Sequence, residues 1–120
     1  MKEQNRQKIN QKVVEDGRTL LILIHDQIIE KTGGEGGVRD EAGLYHSTFK
    51  ILQDYYCVDR DPYSIGAMIY KEIAQRHHFF DGNKRTAHCV AKVVLLLMRK
   101  HLFISYKDAI SFIIDIADHE

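Results

Sequence analysis

Helix breakers are almost absent from this chain. Its one proline is Pro62, and its glycines cluster only at Gly33-Gly34-Glu35-Gly36-Gly37. Between these points apolar residues recur every three or four positions, the period of a helix with one buried face. The pattern predicts an all-α fold, and 120 residues make one domain with no room for a second.

The first predicted helix covers residues 18–31, with Leu20, Leu21, Leu23, Ile24, Ile28 and Ile29 on its apolar side and Thr32-Gly33 at its end. Gly17 interrupts the pattern upstream. Residues 1–17 are therefore set apart as an N-terminal extension, which either continues the helix or frays, and residues 18–120 as the helical domain. The glycine cluster reads as a flexible exposed loop or short hairpin. Asp40 is a good N-cap for a second helix, residues 41–53, in which Leu44, Phe49, Ile51 and Leu52 can face inward. Residues 54–61 are a loop, and Pro62 opens a third helix, residues 62–76, with Ile65, Met68, Ile69 and Ile73 inward. A fourth, residues 83–100, is apolar on most sides through Ala87, Val90, Ala91, Val93, Val94, Leu95, Leu97 and Met98, the mark of a central helix. Ser105-Tyr106-Lys107-Asp108 resembles a capping box for a last helix buried through Ile110, Ile113, Ile114 and Ala117.

Lys plus Arg and Asp plus Glu both number 17, so a chain-wide positive field for nucleic acid is absent. The longest apolar run, from Val93 to Met98, is far below the roughly 18 residues of a membrane span. Cys57 and Cys89 have no metal-site spacing and read as reduced packing residues. The opening residues carry no secretory pattern, and the expected location is cytoplasmic.

The informative stretch is Arg76 to Arg85. A helix ends at His77, Phe79 and Phe80 can anchor the next loop, and Gly82 permits positive φ. Asn83, Lys84 and Arg85 then form the first turn of the fourth helix, whose unpaired amides and dipole attract anions. Two cations in that turn oppose the dipole at a cost of a few tenths of a kcal/mol each, a conflict that a bound phosphate relieves. Asp81 offers a carboxylate beside the phosphate, a natural ligand for Mg²⁺. His77 offers a base for an incoming hydroxyl. Taken alone, Asp81-Gly82-Asn83 is equally a plain turn with a cap, and His77-His78 could begin a metal site, although adjacent helical residues point about 100° apart.

The whole stretch from His77 to Ala87 resembles the signature of the Fic/Doc family, H-x-F-x-[DE]-[AG]-N-[GK]-R, with every fixed position matched. Ile24-His25-Asp26, the glycine-rich loop, Gly37-Val38-Arg39-Asp40 and Leu44 resemble the front half of Doc proteins. The resemblance implies a compact Fic/Doc-like helical bundle. It makes His77 the general base, Asp81 the Mg²⁺ ligand, and Gly82, Asn83, Lys84 and Arg85 the phosphate cradle. Gly33, Gly34, Glu35, Gly36, Gly37 and Val38 become a flap that docks a target peptide as an added strand.

Lys84 stands where typical Fic proteins have Gly, and His88 where they have a second Arg. Both departures resemble the Doc branch, which implies transfer of the γ-phosphate of ATP to a protein hydroxyl, with Mg²⁺ as the ion. The alternatives are AMP transfer, as in Fic proteins with Gly and two arginines, and an inactive nucleotide-binding adaptor. The Doc resemblance further implies a toxin restrained in trans by a small antitoxin protein, acting on translation machinery such as an elongation factor. His25 reads as a structural residue near the site.

Overall fold

The computed structural model describes residues 9–57 and 61–98. These form α1 (Gln11–Thr32), α2 (Glu41–Cys57), α3 (Pro62–Ile69), a π-helical segment (Tyr70–Gln75) and α4 (Asn83–Leu97). The all-α expectation holds. The expected last helix and the connector before it lie outside the described residues.

Local chemistry sets most of the helix starts. The carboxylate of Asp61 accepts from the amides of Tyr63 and Ser64, and Pro62 needs no donor in the first turn. Asp40 Oδ1 accepts from the Gly43 amide at 2.9 Å, the expected cap of α2. A Cβ on Gly43 would lie 2.3 Å from Asp40 Oδ2 and 2.9 Å from His78 Cε1, so this close approach requires glycine.

Three boundaries differ from the expectation. Helix α1 begins at Gln11, not at residue 18, because Asn10 caps it by accepting from the Val13 amide at 2.9 Å. Gly17 lies inside the helix, where a Cβ would stand 3.0 Å from Thr48 Cγ2 and 3.1 Å from Leu52 Cδ1; it lets α1 approach α2. Helix α2 continues to Cys57 instead of stopping at residue 53. The expected third helix is divided, α-helical to Ile69 and π-helical from Tyr70 to Gln75. A π-segment widens the turn by one residue and is a frequent device beside functional sites.

Helix α4 packs against α1, α3 and the π-segment, and α2 packs against the same three elements. Leu21, Leu44, Ile51, Ile65, Ile69, Ile73 and Phe79 meet Ala87, Val90 and Ala91 in one core. The apolar faces are narrower than expected: Leu20 and Leu23 on α1, and Val93 and Leu97 on α4, are exposed. Cys57 and Cys89 are half-buried.

One buried charge ties α2 to the π-segment. Glu72 is 1% exposed. Its carboxylate accepts from Ser47 Oγ at 2.7 Å, Lys50 Nζ at 3.2 Å and Arg76 Nε at 3.0 Å. Burial alone would push its pKa up, but the Ser47 and Lys50 hydrogen bonds and the Arg76 and Lys50 charges outweigh burial and hold it below the usual carboxylate value. A carboxyl depressed in the folded state contributes stability above its unfolded pKa and loses it as pH falls through the lower folded value. Glu72→Gln is therefore expected to lower stability at pH 7 by about 1–3 kcal/mol, the worth of charged hydrogen bonds. The difference between variant and wild type in urea melts is expected to shrink as pH drops below about 4.5, and a difference that stays constant down to pH 2 would contradict the role of its charge.

Candidate active site

The loop from His77 to Gly82 joins the π-segment to α4, and its backbone is held from outside. Phe79 is 1% exposed, and its amide and carbonyl both bind the side chain of Asn83, at 3.0 and 2.9 Å. Residues 37–40 pair with residues 77–80 in antiparallel register, Val38 opposite Phe79. The Phe80 amide donates to Gly37 O at 3.3 Å, and the amides of Arg39 and Asp40 donate to His78 O at 2.7 and 3.1 Å. The carbonyl of Asp81 lies 2.6 Å from His25 Nε2, which therefore carries the proton. His25 is fully buried and stacks on Phe79 with ring centroids 3.8 Å apart, a structural post under the loop.

The two motif histidines part company. His78 is 2% exposed, and its Nε2 lies 2.7 Å from Ser47 Oγ. Ser47 gives its only hydroxyl proton to Glu72, so it accepts from His78, and the Nε2–H tautomer follows. Burial, ahead of the neighbouring charges, lowers the pKa of His78 and keeps it neutral. His77 is exposed and holds φ at 54°, the left-handed region. Such a conformation costs a non-glycine residue roughly 1–2 kcal/mol. His78 is thus buried while His77 is exposed, and among the described residues no group of three or more His, Cys, Asp or Glu side chains is placed to hold a metal.

Gly82 has φ 76° and serves as N-cap of α4 without offering a side chain. A Cβ there would meet Ile29 Cδ1 at 3.0 Å. The first intrahelical bond is that of the Thr86 amide to Gly82 O, at 2.9 Å. The amides of Asn83, Lys84 and Arg85 thus have no side-chain cap, the arrangement of an anion-binding helix start. His77, Phe80, Asp81, Gly82, Asn83, Lys84 and Arg85 line one open cavity of about 290 Å³. Every residue predicted for base, ion and phosphate is therefore at a single place. Asn83 differs in manner: its side chain is spent on Phe79, and only its amide is free to bind an anion.

The acidic and basic groups also hold the glycine-rich segment. Asp81 accepts from the Glu35 amide at 3.2 Å and the Gly82 amide at 3.1 Å, and lies 3.8 Å from Arg85. Arg85 Nη1 donates to Gly33 O at 3.0 Å and to the hydroxyl of Thr32, which itself donates to Ile28 O. Residues 33–38 are exposed or partly so, and they make contacts at Gly33, Glu35, Gly37 and Val38.

Asp81 fits a Mg²⁺ ligand in part. It is one exposed carboxylate whose oxygens keep lone pairs beyond their present bonds, and the rest of the coordination shell must come from phosphate and water. A second cavity, about 800 Å³, is lined by Ile28, Thr32, Gly33, Gly34, Arg85, His88 and Cys89. There His88 Nδ1 lies 3.1 Å from Tyr70 Oη, and burial, helped by Lys92, lowers its pKa. Thr32 and Arg39 were missed by sequence reasoning, because their partners are more than 30 positions away and no local pattern announces them.

Asn83 gives the site a stability test. Asn83→Ala leaves the buried amide and carbonyl of Phe79 unpaired, and each orphaned group costs about 1–3 kcal/mol. A loss of about 2–4 kcal/mol in urea unfolding is expected, and a loss below 1 kcal/mol would show that the clamp is not what holds the loop.

No curated protein matches the chain. The model of the Fic/DOC family matches residues 16–95, a span that takes in most of α1, the paired segments, the loop from His77 to Gly82 and nearly all of α4. By this match, and with the motif residues gathered round one uncapped helix start, the chain belongs to the Fic/DOC family.

Proposed function

We propose that this protein transfers the γ-phosphate of ATP to a hydroxyl group of a target protein. The observation that carries the proposal is the uncapped start of α4, whose amides at Asn83, Lys84 and Arg85 share one cavity with an exposed His77 and the carboxylate of Asp81. Family membership supports the coarser part, transfer of a nucleotide-derived group to protein. The ring of His77 takes the proton of the incoming hydroxyl. The hydroxyl oxygen bonds to the γ-phosphorus, the bond to the bridging oxygen breaks, and ADP leaves with the electron pair. The helix amides, Lys84 and Arg85 hold the phosphate charge. Mg²⁺ on Asp81 would neutralise part of it.

Two features favour phosphate over AMP transfer. Lys84 adds a charged side chain where a glycine would leave open space, which rewards one phosphate placement and crowds another. His88, kept neutral by burial, supplies no second cation one turn further along. The larger cavity beyond Arg85 gives the nucleoside an apolar wall at Ile28 and Cys89. In this proposal the segment from Gly33 to Val38 docks the target as an added strand. The protein acts as a toxin of the Doc kind, directed at translation machinery such as an elongation factor and restrained by a small antitoxin.

His77→Ala is expected to reduce transfer by ~10²–10⁴ with the helical content unchanged, as removal of a general base does. Circular dichroism and a transfer assay check both halves, and wild-type turnover in the variant would end the assignment. ATP labelled separately at the α and γ positions distinguishes the reactions. Label from the γ position is expected on the target, in a reaction that excess chelator stops. Label from the α position would establish AMP transfer instead, and no transfer from either would favour an inactive nucleotide-binding adaptor.

A further inference from the structure

One side chain outside the family motif is placed to fix the geometry of His77. Arg39 Nε donates to His77 O at 2.9 Å, while the Arg39 amide donates to His78 O at 2.7 Å. A single residue thus grips two successive carbonyls of the catalytic loop, one with its side chain and one with its backbone. The Asp40 amide adds a second donor to His78 O at 3.1 Å. Upstream, the π-segment ends at Gln75 and Arg76 leads into His77; downstream, Arg39 binds the peptide that leaves it. Between the two, His77 holds a positive φ, 54°, in which the residue lines the phosphate cavity.

We propose that Arg39 is a positioning residue that holds His77 in its left-handed conformation and so keeps the imidazole at the phosphate site. The inference rests on the assignment of His77 as the base. The exposed carbonyl of His77 could bind water in any conformation. Arg39, anchored by its own backbone to the adjacent carbonyl, reaches His77 O with its side chain in this conformation. A His at positive φ gives way when that anchor is removed, since a negative φ is the intrinsic preference of the residue. Arginine suits the task because its Nε donates from partway along the side chain within a rigid plane. Lysine keeps the charge but has no donor at that point.

The test uses the full chain with two variants, Arg39→Ala and Arg39→Lys. The φ of residue 77 is read by NMR, from the amide–α-proton coupling and the Cα and Cβ shifts. Transfer kinetics are measured beside it. Wild type should show one positive φ. Both variants should show a mixture with negative φ, and kcat should fall about tenfold or more while KM for ATP stays unchanged, because only the competent fraction turns over. Arg39 is exposed, so both variants should keep the wild-type circular dichroism spectrum. If Arg39→Ala does not fold, Arg39→Lys decides alone. A retained positive φ in the folded variants overturns the proposal. So does unchanged kcat with a shifted φ, or full recovery in Arg39→Lys, which would mean that charge alone matters. Absence of transfer in the wild type would count against the proposed reaction only, because φ is read without turnover.

Discussion

The antiparallel pairing of residues 37–40 with residues 77–80 is the constraint on which the rest of the site depends. A loop cannot enter the interior of a helical domain unless its backbone donors and acceptors find partners there. Here several are answered from different directions. The carbonyl of His78 takes two amides from residues 39 and 40, Phe79 is closed on both sides by Asn83, and the carbonyl of Asp81 meets His25. With its polar groups satisfied, Phe79 can sit in the core as the anchor. The two ends of the loop, His77 and Gly82, then stand at fixed positions on the rim of one cavity. Neither helix alone could set that spacing.

Among the described residues, several locally unfavourable features fall in one short stretch. A π-segment, a histidine at positive φ, a helix start without a side-chain cap and two cations in its first turn fall between Tyr70 and Arg85. Each costs free energy, and none is needed to build a helical bundle. Elsewhere among the described residues, Asn10, Asp40 and Asp61 cap their helices, as their propensities favour. Strain concentrated in one segment and braced from outside is the pattern of a functional site, in which local preference is overruled for geometry.

How much of this the sequence disclosed follows from the range of each interaction. Helices α2, α3 and α4 were legible because capping residues and the three-to-four spacing are local. The motif was legible because its residues are contiguous, and the structure gathers them at one cavity. The start of α1 was left open because Gly17 reads as a breaker, whereas it serves a close approach to Thr48 and Leu52 that only the fold creates. The π-segment was invisible because Ile69 and Ile73 satisfy helical spacing in either geometry. Leu20, Leu23, Val93 and Leu97 looked internal because hydrophobicity alone does not state which face has a neighbour. The pinned glycine-rich segment escaped notice for the same reason as Thr32 and Arg39: its partners arrive from the far end of the chain.

That pinning changes how the site is to be understood. Composition suggests a loose loop lying beside a rigid phosphate cradle, but Asp81 and Arg85 belong to both. Asp81 binds the Glu35 amide, and Arg85 binds Gly33 O and the hydroxyl of Thr32. These are the acidic and basic groups that face the cavity at the start of α4. A carboxylate oxygen has two lone pairs and a guanidinium five donors, so each has capacity for a second partner without releasing the first. An anion at the helix start would therefore meet side chains already oriented by the glycine-rich segment, and whatever displaces that segment also disturbs Asp81 and Arg85. The segment and the cradle form one mechanical unit. Side chains with unused hydrogen-bonding capacity join the two, and the glycines at Gly33, Gly34 and Gly37, all at positive φ, let the backbone reach them.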